Sequence, residues 1–285
     1  MIKCIASDMD GTLINASHEI SQSTKDAILL AQGHGIEFLV ATGRSWEEAR
    51  FVLDKAGVDC PAICVNGAEI RDKNGKVLQS IGMNGTVSEE IAQIFQAADI
   101  YFELYTPAGN FTKDVQRGIE AIVDIYHTAD PTENIEEIRQ SIQETFSKRS
   151  INIVDDYGEI FNADDCSIYK FLAFCKDEQL LKKTSRQLEK IAGIHVTSSG
   201  RHNIELTHAD AQKGKALKWF AEQSGISLSE TMALGDNYND LSMLEIAGYS
   251  VAMGNAEQEV KKVCRYETTT NDNDGVAKAI MKALS

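Results

Sequence analysis

Hydrophobic positions come in short, sharply ended runs along this chain, and most runs are followed by small, acidic or amide residues. Ile2, Cys4, Ile5 and Ala6 open the sequence as one such run, which predicts a buried strand. The next run, Ala27-Ile28-Leu29-Leu30-Ala31, follows Ser21 and Ser23 and stops at Gly33, the signature of a capped helix. Glu37 to Ala41 reads as a second buried strand, and Ser45 with Glu48 as the capping box of a second helix. Ala62-Ile63-Cys64-Val65 is a third strand, closed by Asn66-Gly67. Ala68 to Arg71 and Lys76 to Gln79 flank Asp72-Lys73-Asn74-Gly75, a hairpin pattern. The order β-α-β-α-β predicts half of a doubly wound sheet.

The pattern changes from about Gly82 to about Gly200, where no strand ends in an acidic or glycine-rich cluster. Helices are expected at Ser88 to Ala97, Glu136 to Lys148 and Glu178 to Ile191. Strands are expected at Tyr101 to Tyr105, Ile151 to Val154, Ile168 to Cys175, Ile194 to Thr197 and Asn203 to Leu206, the last two paired across Ser198 to His202. With its own apolar set, this α+β stretch reads as an inserted domain over residues 83–205. The core is then 1–82 plus 206–285, with hinges at Gly82 to Gly85 and at Glu205 to Asp210. The core pattern resumes with a helix at Lys213 to Gln223, a strand at Thr231 to Leu234, a strand at Tyr249 to Met253, and helices at Ala256 to Val263 and Gly275 to Leu284.

Composition narrows the function. The 285 residues are 43% hydrophobic, enough for a real core. The net charge of −15 argues against nucleic acid or an anionic membrane as partner. None of the six cysteines forms C-x-x-C, which suits reduced thiols in a cytoplasmic protein. Asp8 and Asp10 interrupt the N-terminus before any signal-peptide core can build, and no run reaches transmembrane length.

Candidate chemistry gathers at strand ends, where open parallel sheets bind ligands. Asp8 and Asp10, spaced i, i+2 in an extended segment, are expected to point the same way and to need a hard cation such as Mg²⁺ between them. Taken alone, two such acids would also serve as helix caps. Thr42 and Gly43 offer a hydroxyl and close backbone N–H groups for an oxyanion, or a plain turn. Lys213 places a positive charge on a helix start. Asp236 and Asp240, spaced i, i+4, put one carboxylate where it can meet a metal and the other where it can steady the first. With Asn239 as a further donor, the set offers cation, oriented donors and charge neutralisation, the three needs of a phosphoryl group.

The motifs D-M-D-G-T-L at Asp8 to Leu13, T-G-R at Thr42 to Arg44, K-G at Lys213-Gly214 and G-D-N-Y-N-D at Gly235 to Asp240 resemble the haloacid dehalogenase superfamily. The large insert, V-N-G-A at Val65 to Ala68 and N-D-N-D-G-V-A at Asn271 to Ala277 are similar to its Cof-type, subclass IIB sugar-phosphate phosphatases. The resemblance implies an α/β fold: a doubly wound parallel-sheet, Rossmann-like core with an inserted α+β cap. It implies a Mg²⁺-dependent hydrolase of a small phosphate ester, with Asp8 as nucleophile and Asp10 as general acid and base. Mg²⁺ would sit on the Asp8 carboxylate, the Asp10 main-chain carbonyl and Asp236. Thr42, Gly43, Lys213 and Asn239 would hold the phosphoryl oxygens, with Asp240 behind them. Arg44 would contact substrate or pair with a nearby acid. The approach to Lys213, Thr207 to Gln212, departs from the Gly-Val-Ser type of many relatives. In the cap, Arg201-His202-Asn203 is the candidate substrate contact. A phosphotransferase or mutase on the same scaffold stays open, as does a non-catalytic receiver-like phosphoacceptor, which its length and insert disfavour. The substrate and the oligomeric state are not legible.

Overall fold

The computed structural model describes residues 1–129, 132, 134–147, 151–164, 166–198 and 201–284. They form two units, Met1–Ser80 with Ala211–Ser285, and Ile81–Asp210.

The first unit begins with β1 (Cys4–Ser7), α1 (Gln22–Gly33), β2 (Glu37–Ala41), α2 (Trp46–Ala56), β3 (Ala62–Cys64), β4 (Glu69–Arg71) and β5 (Val77–Ser80). Ser21 caps α1 by accepting from the Thr24 N–H, and Ser45 with Glu48 makes the reciprocal capping box of α2.

The second unit holds α3 (Gly85–Ala97), β6 (Tyr101–Thr106), β7 (Gly109–Thr112), α4 (Val115–Ala129), α5 (Ile135–Ser147), β8 (Ile151–Ile153), α6 (Gly158–Phe161), β9 (Lys170–Phe174), α7 (Glu178–Leu188), β10 (Ile194–Thr197) and β11 (Asn203–His208). Its sheet runs β10-β11-β9-β6-β7-β8, antiparallel except for the β7–β8 pair. One core cluster gathers Phe95, Phe102, Phe171, Ile204 and Leu206, with Phe95 and Phe102 stacked at 5.4 Å. A smaller cluster, with Val123, Ile142 and Phe146, binds α4 to α5. The expected end of α5 at Lys148, and the middle of the turn from Ser198 to His202, lie outside the described residues.

The first unit resumes with α8 (Lys213–Gln223), β12 (Thr231–Gly235), α9 (Leu241–Ile246), β13 (Tyr249–Ala252), α10 (Gln258–Val263), β14 (Tyr266–Glu267) and α11 (Gly275–Leu284). Its eight strands run β14-β13-β12-β1-β2-β3-β4-β5. Those from β14 to β3 are parallel, and the β4–β5 hairpin adds an antiparallel edge. β1 and β12 are buried at every residue, as parallel strands covered on both faces must be.

The crossings between units differ from the expected ones. β11 runs on to His208, pairing with β9 and β10, so the second unit ends at Asp210 rather than at residue 205. It begins at Ile81, and Met83 is already bridged to Ile168. α4 was not expected at all. Its apolar positions do repeat at helical spacing, but Gly118 interrupts them, and a Cβ there would stand 2.5 Å from the Tyr101 ring. Gly118 is what lets this helix lie against β6.

Candidate active site

Four chain segments leave the sheet of the first unit at the carboxyl ends of β1, β2, β3 and β12. After β1 the chain turns at once. The Asp8 N–H donates to the Leu234 carbonyl at 3.0 Å, and Leu13 N–H returns to the Asp8 carbonyl. Asp8 is thereby fixed and buried beside β12. Gly11 sits at φ +80°, and a Cβ there would stand 2.4 Å from Asp236 Oδ2. The glycine of D-x-D-G is thus a steric requirement for the approach of Asp236. Asn271 and Asp272 brace the same loop, Asn271 Nδ2 donating to the Ile14 carbonyl and Asp272 accepting from the Ala16 N–H.

Lys213, the first residue of α8, is wholly buried. Its Nζ donates to Asp8 Oδ1 at 2.6 Å and to Asp240 Oδ1 at 2.7 Å. Asp240 Oδ2 accepts from the Asp236 and Asn237 N–H groups at 2.9 and 3.0 Å. Both Asp240 oxygens are therefore engaged, and this residue fastens Lys213 to the turn after β12. Asp236 Oδ1 accepts from the Thr12 hydroxyl at 2.7 Å. Ligand oxygens of Asp8, Asp236 and Asp240 lie within 4.8 Å of one another. None of these bonds uses Oδ2 of Asp8 or of Asp236.

Charge at this cluster is unbalanced, with three carboxylates against one ammonium. Burial, and then Asp240, push the Asp8 carboxyl well above its usual range, although Lys213 opposes them. Burial also pushes Asp236 up to about 6, against the Thr12 hydroxyl. Burial alone would lower Lys213, but Asp240 and Asp8 outweigh it and hold the ammonium protonated. An oxygen-only donor set with excess negative charge fits a hard divalent cation.

Thr42, fully buried after β2, accepts from the Arg44 N–H at its hydroxyl. Gly43 lies against the amide of Asn66. Asn66, buried at φ 57°, accepts from Asn239 Nδ2 at 3.1 Å. Asn66 ties the ends of β2, β3 and β12 together, its N–H donating to the Thr42 carbonyl at 2.9 Å and its side chain accepting from Asn239.

Asp10 departs from expectation. Its carboxylate is 52% exposed and does not join Asp8. Both of its oxygens accept from the Arg44 guanidinium, at 2.8 and 2.6 Å. The extended segment ends at Ser7, so the alternation rule does not carry as far as Asp10. Arg44 thus pairs with an acid, the second of its two expected roles. Sequence reasoning gave no part to Thr12, and placed Asn66 at a strand end and in the V-N-G-A resemblance without assigning it a contact. The signal for Asn66 was its place at a strand end, before Gly67. The candidate cap residues Arg201, His202 and Asn203 line a cavity within the second unit, beside α4 and α5.

A family model described as haloacid dehalogenase-like hydrolase matches residues 5–280. The chain is 34% identical to Phosphatase YwpJ of Bacillus subtilis over 280 residues, 97% of this chain and 98% of that one. It is 35% identical to the 5-amino-6-(5-phospho-D-ribitylamino)uracil phosphatase YwtE of the same organism over 285 residues, 100% of this chain and 99% of that one. The solved structure of a haloacid dehalogenase-like hydrolase from B. subtilis matches with a TM-score of 0.86 at 32% identity, covering 98% of this chain and 99% of that one.

Proposed function

The chain belongs to the haloacid dehalogenase-like hydrolase family and is a phosphatase, and from that footing we propose that it is a Mg²⁺-dependent hydrolase of a small sugar-type phosphate ester, acting through an aspartyl-phosphate on Asp8. The observation that carries this reading is the buried Asp8 carboxylate held at 2.6 Å by Lys213, itself fastened by Asp240. A carboxylate so oriented attacks phosphorus and releases the alcohol, splitting hydrolysis into two easier steps. Lys213 opposes the effect of burial on Asp8 and faces the charge that develops on the phosphoryl oxygens. Thr42, Gly43 and Asn239 supply neutral donors around the same group.

Asp8 and Asp236 would hold Mg²⁺, together with the Asp10 main-chain carbonyl. The ion supplies charge neutralisation for the phosphoryl oxygens. Asp10 passes a proton to the leaving alkoxide and then takes one from the water that attacks the phosphoenzyme. Both of its oxygens are engaged by Arg44 in this arrangement, so proton transfer requires that ion pair to open.

The substrate class draws on the relative whose name specifies a phospho-ribityl group, a phosphate on a polyhydroxylated carbon chain. A cytoplasmic location fits the six free cysteines. Among the described residues no helix is long and apolar enough to cross a membrane.

The test is phosphate release from p-nitrophenyl phosphate and a panel of sugar and sugar-alcohol phosphates, with Mg²⁺ and with chelator, for wild type and Asp8→Asn. Metal-dependent release that disappears in folded Asp8→Asn is expected. Full activity in that variant removes Asp8 as the nucleophile, and phosphate moving to an added sugar rather than to water makes the enzyme a transferase.

A further inference from the structure

The second unit contains a cavity of about 800 Å³ beside the α4–α5 pair and the adjoining ends of β9 and β11. That volume is typical of a small-molecule pocket. Its wall is apolar, made by Ile122 and Tyr126 of α4, Ile142 and Phe146 of α5, and Phe174 at the end of β9. Tyr126 is 57% exposed, a large side chain left partly uncovered by its own unit.

The polar groups of the cavity are unequal in sign. Arg201 and His202 both line it, and Arg201 makes no ion pair among the described residues. His202 Nδ1 is buried without a hydrogen-bond partner, a state that is unfavourable until some group supplies one. The acid that lines the cavity, Glu137, already accepts from Asn134 Nδ2 at 3.2 Å. In a chain of net charge −15, an uncommitted guanidinium beside an orphaned imidazole nitrogen is a local preference for an anion.

We propose that this cavity binds an organic anion with a flat or branched apolar body, its acidic group on Arg201 and His202 and its body on the α4–α5 wall. Such a ligand matches both halves of the lining, whereas a polyol would leave the apolar wall uncovered and a cation would meet Arg201. The site uses none of the residues assigned to phosphate chemistry and stands whether or not that assignment holds.

The experiment is a fluorescence titration of the full-length protein with anilinonaphthalene sulfonate, an aromatic body bearing one anion, and in parallel with uncharged N-phenylnaphthylamine. One saturable site is expected for each. Arg201→Glu should weaken the sulfonate by about tenfold or more, the worth of a charge-assisted contact, while leaving the uncharged compound unchanged. Ser141→Phe, at an exposed lining position on α5, should block both, and Asp8→Asn should alter neither. Melting curves establish that each variant is folded. Sulfonate binding that survives Arg201→Glu, uncharged binding that survives Ser141→Phe, or many weak sites in place of one would overturn the proposal.

Discussion

At the scale of residues, the two acids of the first loop are separated by their partners rather than by their chemistry. Asp8 meets an ammonium inside the protein, and Asp10 meets a guanidinium at its surface. Asp10→Asn should therefore discriminate between leaving groups. We expect kcat/KM for an alkyl phosphate, whose alkoxide needs a proton, to fall by roughly 10²–10⁴-fold. The value for p-nitrophenyl phosphate, whose phenolate leaves unprotonated, should fall far less. Equal losses on both esters would remove Asp10 as the acid. Asp236 carries the pH dependence. Burial raises it from 3.8 to about 6, so the folded, metal-free protein holds this proton more tightly than the unfolded chain. Its stability contribution is therefore greatest below the unfolded value and declines as pH rises through 6. A cation that needs the ionised carboxylate competes with that proton. Calorimetric Mg²⁺ binding should tighten as pH rises through ~6 with proton release, and Asp236→Asn should reduce the release.

At the scale of elements, helix termini make a local stability prediction. Removing the Ser45 hydroxyl leaves the Glu48 N–H without its acceptor. Ser45→Ala should cost about 1 kcal/mol in urea denaturation, with an unchanged m-value. The start of each helix that begins with such chemistry, α1 and α2, was legible in the sequence, as were those of α7 at Glu178 and α11 at Gly275. So was α8, which starts at Lys213 where the apolar pattern resumes. β1, β2 and β12 were legible because strands buried on both faces read as unbroken apolar runs. α4 was not, because its middle is shaped by Tyr101, a residue on another element. The Asp10–Arg44 and Asn66–Asn239 contacts were hidden for the same reason, since each joins loops that are far apart in sequence. Residue types at strand ends could be inferred from local pattern, but the pairing among them belongs to the sheet order.

At the scale of the whole molecule, the first unit is discontinuous and the second is not. A chain ending at Asp210 retains all of the second unit's strands while β1 loses β12, its neighbour on one side. Limited proteolysis of such a fragment should protect residues near 81–210 and degrade 1–80. Uniform degradation of both segments would show that the second unit depends on the first for its stability.

The same discontinuity sets an order of events during synthesis. Asp8 and Lys213 are 205 positions apart, so at usual translation speeds the ribosome takes about 10–40 s to make the ammonium after the carboxylate has emerged. Throughout that interval Asp8 has neither Lys213 nor β12 beside it. The nascent polypeptide therefore lacks the Asp8–Lys213 pair, and the burial of Asp8 awaits the emergence of α8 and β12.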